Sequence, residues 1–316
     1  MAKLTVKKLR FADVPGWADD DHAAALQVFL ASVGKMTDPR WAGLDRAVHD
    51  PEAFFAEHFT PVAMDDGVPP KFTGYFEPIY DAAPSAQGSF RFPIYALPEE
   101  CVPDQPFLTR AEIDAGALAD RQLEIAWLQD PWYVFFLQVQ GSGRLQFPDG
   151  SVLRVGYAGK NNHPYTSLGQ RLVTSGAIAA DQISPDAIRA WAKAQPDQGR
   201  AMMMENESYV FFRPLTEVPA DAGPLGTLQV PLTAGRSIAV DPDFVPLGVP
   251  VWIELAGAPG CLMVAQDTGS AVKGAQRADL FMGTGAEAGQ RAGSLHATGR
   301  MITLLPHAMA EAICDA

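Results

Sequence analysis

The sequence predicts a mainly β protein with some helices, organised as two β-rich, barrel-like domains. Three observations carry this. The chain holds 28 glycines and 26 prolines in 316 residues, above the roughly 12% of a typical protein, as an architecture of short strands and tight turns requires. Six short β-prone runs follow one another at 228–231, 236–241, 249–255, 261–266, 278–282 and 299–304, with turn residues between them, the pattern of a small barrel. Before them, EVPADAGPLG (217–226) is rich in Pro, Gly and Asp and reads as a linker from a second strand-rich region.

In chain order the first elements are helical. Residues 20–33 open on aspartates and space Leu26, Phe29, Leu30 and Val33 along one face, as an amphipathic helix does. Asp50 followed by Pro51 marks a second helix, with proline where its missing N–H costs nothing. TGYFEPIY (73–80) is strand-like and marks where the chain leaves its first domain. RFPIYALP (91–98) reads as extended, and TRAE (109–112) is a capping box opening a short helix through Leu118. WYVFFLQVQ (132–140) is nearly continuously apolar and reads as a buried strand. SVLRVGYAG (151–159) and SYVFFRP (208–214) are further strands; between them Ser184 and Pro185 start the helix DAIRAWAKAQ, with Gly199 beyond its end. The expected division is residues 1–80 plus 216–316 in one domain and 81–215 in the other.

Bulk properties remove several functions. With 24 basic against 37 acidic residues, a net charge of −13 and no Lys/Arg cluster, the chain lacks the basic face that nucleic-acid binding needs. Three cysteines (Cys101, Cys261, Cys314) make no ligand spacing or disulfide framework, and six scattered histidines make no HExxH; no metal and no cofactor are expected. No apolar run reaches about 18 residues, and the start MAKLTVKKLRFADVPGW is basic without an apolar core, so as written it directs neither membrane insertion nor export.

The chemistry concentrates in AQDTGSAVKGAQRADLFMG (265–283), where Asp267 and Asp279 stand twelve residues apart with Gly269, Lys273, Gly274 and Arg277 between them. An aspartate beside a glycine is most often a turn former, and spacing alone favours that reading for Asp267. Asp279 opens the β-prone run ADLFM and has no turn to make. This stretch resembles the three-aspartate domain of the membrane-bound lytic transglycosylase A family, which cleaves peptidoglycan. Asp279 matches the third acid, Asp267 in Asp-Thr-Gly the second, and Asp241 in SIAVDPDFVPLGVPVWI the first; Ser270 departs from the second glycine of many relatives. TGYFEP (73–78), VQGSGRL (139–145), RVGYAGKNNHPYTSLG (154–169) and NESYVFFRP (206–214) resemble the family in the same order.

The resemblance implies a double-psi β-barrel, with the second, β-rich domain inserted into it and forming the other wall of a glycan groove. It implies peptidoglycan glycan strands as the partner, a periplasmic or outer-membrane lipoprotein location, and peripheral or lipid-anchored membrane association of the full-length precursor. A monomer is expected. For the groove, Tyr75 offers an aromatic face to a sugar ring or to the core. QGSG reads as a hairpin turn on its own and, with the resemblance, as a glycan contact through Gln140, Gly141 and Ser142. Tyr157, Lys160 and Asn161 in GYAGKNNHPY, and Lys273, complete the expected substrate-binding set; Glu77 reads as structural.

A lytic transglycosylase uses no water: the 6-hydroxyl of the muramic residue attacks its own anomeric carbon, so one carboxyl gives a proton and later takes one. Asp279 is expected in that role, its pKa raised by its neighbours Leu280, Phe281 and Met282, with Asp267 and Asp241 as supporting residues. Two alternatives stand beside this reading: an inverting hydrolase using Asp279 and Asp267, with carboxyls about 6.5 to 9.5 Å apart, and a non-catalytic, expansin-like polysaccharide-binding module.

Overall fold

A computed structural model describes residues 4–44 and 48–314; the first three residues of the basic N-terminal stretch lie outside them. The chain divides into two compact units, one made by the chain up to Phe76, Pro219–Gly283 and Glu287 onward, the other by Glu77–Val218 with Thr284–Ala286. Both are mostly β with helices packed around the sheets.

In the first unit, local capping fixes the helices. Asp21 accepts the Ala24 N–H at 3.0 Å to start His22–Val33, and Asp50 accepts the Ala53 N–H at 3.0 Å to start Pro51–His58, with Pro51 at its first position. Both helices bury aromatic side chains in a common core: the Phe29 ring lies 6.1 Å from Phe55 and 5.4 Å from Phe59, and Trp17 lies 5.5 Å from Trp252. Each buried ring contributes about 1.5–3 kcal/mol relative to exposure.

The sheet of this unit runs, neighbour to neighbour, through Thr5–Lys8, Phe59–Asp65, Gly299–Pro306, Pro250–Leu255, Cys261–Thr268, Ser237–Val240, Arg277–Thr284, Lys71–Glu77 and His296–Ala297. Ser237–Val240 lies parallel to Cys261–Thr268 and antiparallel to Arg277–Thr284. This places Ala239 in register with Asp267 on one side and with Asp279 on the other. Five of the six runs expected after residue 226 are strands. The sixth, 228–231, makes only an isolated bridge between Leu225 and Pro231, because proline has no N–H to give a ladder.

The second unit has a sheet ordered Phe92–Tyr95, Glu124–Leu128, Ile79–Ala83, Ser142–Gln146, Val152–Lys160 and Val210–Pro214. The expected strand at 132–140 is instead a helix, Pro131–Gln140. Asp130 caps it, accepting the Trp132 N–H at 2.9 Å, and Gly141 ends it at φ +77°. A helix buried on most of its surface is apolar all round, so composition does not separate it from a buried strand. Gly199 likewise falls inside a second helix, Pro196–Met204, rather than after the first. An added Cβ there would meet the Ala192 Cβ at 2.8 Å; glycine is what lets Pro185–Ala194 approach so closely.

Gly299 pairs with Leu255, and a Cβ at Gly299 would stand 1.9 Å from the Glu254 carbonyl oxygen, a backbone atom that cannot swing away. Gly299→Ala should therefore destabilise the protein by about 1–3 kcal/mol, seen as a lower urea midpoint; an unchanged midpoint would show that the strand pair yields without cost.

Candidate active site

Asp267 and Asp279 stand two strand spacings apart, about 10 Å between backbones, flanking Ala239. The strand Lys71–Glu77 supplies a partner to each, Thr73 to Asp279 and Tyr75 to Asp267. Tyr75, on Lys71–Glu77, donates its hydroxyl to Asp267 Oδ2 at 3.0 Å. In a flat sheet those two strands would lie three spacings apart, about 14 Å, beyond the reach of one side chain. The sheet is therefore curled, and the Tyr75–Asp267 bond spans its concave side.

Both carboxylate oxygens of Asp267 are engaged. Its Oδ1 receives the Thr227 N–H, the Thr227 hydroxyl and the Thr268 N–H, each at 2.9 Å, and Oδ2 receives Tyr75. A carboxylate offers about four acceptor sites, two on each oxygen; three donors crowd Oδ1 and one holds Oδ2. Burial pushes the Asp267 pKa above the usual carboxylate range, and the four hydrogen bonds only partly offset it. Burial, reinforced by the charge of Asp267, its hydrogen bond and the charge of Asp279, pushes the Tyr75 phenol well above its ordinary pKa. Tyr75 therefore stays protonated and serves as a donor.

Asp279 is held differently. Its Oδ1 accepts the Thr73 hydroxyl, and Thr73 in turn accepts from Arg277 Nη2 at 2.8 Å. Its Oδ2 faces the Arg277 guanidinium at 3.7 Å, outside hydrogen-bond distance, and the side chain is 22% exposed. One oxygen is pinned and the other is open. The ring of Phe281, two residues on, lies tilted against the Tyr75 ring with centroids 5.3 Å apart.

Asp241 is the anchor of the loop between the two acids. Its Oδ1 accepts Lys273 Nζ at 3.0 Å and its Oδ2 the Gly274 N–H at 2.9 Å, where Gly274 takes φ +117°. Burial would raise its pKa, but the Gly274 N–H, the Lys273 ammonium and the Asp243 N–H outweigh it and hold the carboxyl below the usual range. Lys273 itself is 60% exposed beyond that contact. Among the described residues no group of three or more His, Cys, Asp or Glu could hold a metal ion.

Family models match two parts of the chain, the MltA specific insert domain over residues 71–213 and the 3D domain over residues 236–305. The chain is 37% identical over 247 residues to the membrane-bound lytic murein transglycosylase A of Escherichia coli K12, an alignment spanning 74% of this chain and 65% of that protein. The crystal structure of a membrane-bound lytic murein transglycosylase from Agrobacterium tumefaciens superposes with a TM-score of 0.86 at 30% identity, over 98% of this chain and 99% of that one. The chain belongs to the membrane-bound lytic murein transglycosylase A family. A crystal structure of E. coli MltA with bound chitohexaose superposes with a TM-score of 0.77 at 29% identity, over 95% and 94% of the two chains.

Within this family fold, three of the expected substrate contacts are occupied elsewhere. Asn161 is fully buried: its amide donates to the Leu108 and Glu207 carbonyls at 2.9 and 2.8 Å and accepts the Tyr209 N–H at 2.8 Å, so it ties chain segments together and has nothing to offer a sugar. Ser142 is buried in the strand pair with Gly156, and the Gly141 N–H is spent on the Leu137 carbonyl at 2.9 Å as the helix ends. QGSG is thus a helix terminus and strand start, not a hairpin turn. Gln140 is half-buried at that terminus, Lys160 half-buried at the end of its strand, and Tyr157 53% exposed beside it. The threonines 73, 227 and 268 carry no sequence signal of their own, since a lone Thr in a β-prone run is ordinary.

The depressed Asp241 carboxyl makes a prediction with a definite sign. A group whose folded pKa lies below its unfolded value stabilises the fold above the unfolded pKa, about 3.9, and loses that contribution as pH falls through the folded one. Asp241→Asn should cost about 1–3 kcal/mol near neutral pH, and the gap in urea midpoint from the unaltered protein should shrink on acidification below roughly pH 4. A gap that widens there would contradict the assignment.

Proposed function

We propose that this protein cleaves the β-1,4 bond between N-acetylmuramic acid and N-acetylglucosamine in peptidoglycan without water, leaving 1,6-anhydromuramic ends, with Asp279 as the one proton carrier. The observation that supports this above the others is the contrast between the two acids: hydrogen bonds hold both oxygens of Asp267, whereas among the described residues none reaches Oδ2 of Asp279. A proton must be delivered from, and returned to, an oxygen not already engaged.

In the first half of the reaction Asp279 protonates the glycosidic oxygen as the bond to the anomeric carbon breaks. The charge left on Asp279 then faces Arg277 at 3.7 Å, while Thr73, itself held by Arg277, keeps the carboxyl from turning away. In the second half the muramic 6-hydroxyl attacks its own anomeric carbon and gives its proton to Asp279. The nucleophile is part of the substrate, so its effective concentration is high. Asp267 and Asp241 support the site: Asp267 fixes Tyr75 and Thr227, and Asp241 fixes the Lys273–Gly274 loop. The catalytic role falls to the domain of residues 1–80 and 216–316, where Tyr75 and Lys273 lie near the acids. A substrate-holding role falls to 81–215, where Gln140, Tyr157 and Lys160 remain the candidates. We place the protein in the periplasm with membrane association, in keeping with relatives named membrane-bound.

The hydrolase alternative has one observation in its favour, the raised pKa of Asp267. Against it, both oxygens of Asp267 are already tied down, Oδ1 by Thr227 and Thr268 and Oδ2 by Tyr75, and geometry comes before pKa in choosing a base. Asp279→Asn, nearly isosteric, should reduce turnover of purified sacculi at least about a hundredfold with the melting temperature retained. Asp267→Asn should leave a clearly larger residual rate, and losses of equal size in the two variants would instead make Asp267 the hydrolytic base.

A further inference from the structure

Arg110 is a buried cation that pairs directly with no carboxylate among the described residues. It is 4% exposed, and its described hydrogen bonds run to two carbonyls, Nε to Asn206 at 2.9 Å and Nη2 to Ser208 at 2.6 Å. The rings of Phe135 and Tyr209 lie 4.9 and 5.2 Å from the guanidinium centre. A guanidinium carries five N–H donors, and those two bonds use two. Asp114, which acts on Arg110 electrostatically, is itself engaged by Arg200 at 2.5 Å. Burial accordingly pulls the Arg110 pKa down to about 10. An uncompensated buried charge is costly unless something completes it.

The same side chain lines a cavity of about 310 Å³ in the second unit, walled by Tyr95, Trp127, Val134 and Tyr209. That is the size of a small-molecule site, apolar and aromatic around a few polar groups. Its charged lining is Arg91, Arg110 and Arg200 against Asp114 and Glu124, one positive charge in excess, which suits a monoanion and disfavours a dianionic phosphate. Phe92, Pro131 and Met203 also line an adjoining cavity of about 710 Å³, so a ligand anchored at Arg110 has room to continue.

We propose that this cavity is a binding site for the terminal carboxylate of a short peptide, held by the Arg110 guanidinium with a small apolar side chain against Tyr95 and Trp127. Planar guanidinium and carboxylate match in two parallel hydrogen bonds, and Glu124 in the lining is at hand for an ammonium further along. The glycan carries peptide stems ending in a carboxylate, which makes the stem the source; that part alone rests on the peptidoglycan reading, whereas the carboxylate site does not.

Calorimetric titration of the whole protein with D-alanyl-D-alanine, its C-terminal amide and L-alanyl-L-alanine tests this. The acid should bind saturably and the amide at least about tenfold more weakly, the loss expected when a charge-assisted pair is removed. Arg110→Lys should weaken the acid by a similar factor with an unchanged melting temperature. Should that variant fold poorly, the acid-versus-amide comparison on the unaltered protein still decides. Equal binding of acid and amide, or no binding of either, overturns the site, and equal binding of the two stereoisomers overturns the stem as its source. Digestion of sacculi is scored separately: activity without peptide binding defeats this proposal only, and binding without digestion defeats only the transglycosylase reading.

Discussion

The hydrogen bond from Tyr75 to Asp267 is the constraint on which the site depends. It joins strands that the sheet order separates by two others, so it exists only because the sheet curls, and it engages the second oxygen of one acid while the neighbouring acid keeps one oxygen without a hydrogen bond among the described residues. The register does the rest. With Ala239 opposite both Asp267 and Asp279, a slip of one residue would turn one acid to the opposite face. In the mechanism we propose, Asp279 is singled out as the proton carrier by its surroundings rather than by its residue type. Two chemically identical carboxyls are given different surroundings by the donors around them, Thr227, Thr268 and Tyr75 for one and Thr73 for the other.

What was legible in the sequence was what is decided locally. Asp21, Asp50, Thr109 and Ser184 announce helix starts because a cap acts within three residues. Five strands after residue 226 were visible in their β-prone runs. The helix Pro131–Gln140 was misread because its burial erases the 3.6-residue pattern; the pair Asp130–Pro131 just before it was the local signal that could have corrected the reading.

The partners of the acids were not legible, and the reason is sequence separation. Thr73 reaches Asp279 across 206 residues and Tyr75 reaches Asp267 across 192, contacts made only once nonlocal strand pairing has formed. Asn161 shows the opposite error: in sequence it looks like an amide available to a glycan, yet Leu108, Glu207 and Tyr209 converge on it from distant segments and bury it. The acids themselves stood out because of the glycines and family motif around them, and their difference in role came only from counting donors.

That difference is best tested through the product. Purified sacculi digested by the unaltered protein in water enriched in oxygen-18 should release fragments whose muramic ends are 1,6-anhydro and carry none of the label, because the nucleophile is the sugar's own hydroxyl. Reducing muramic ends containing oxygen-18 would mean that water was activated in the site, and the account of Asp279 as a lone proton carrier would be wrong.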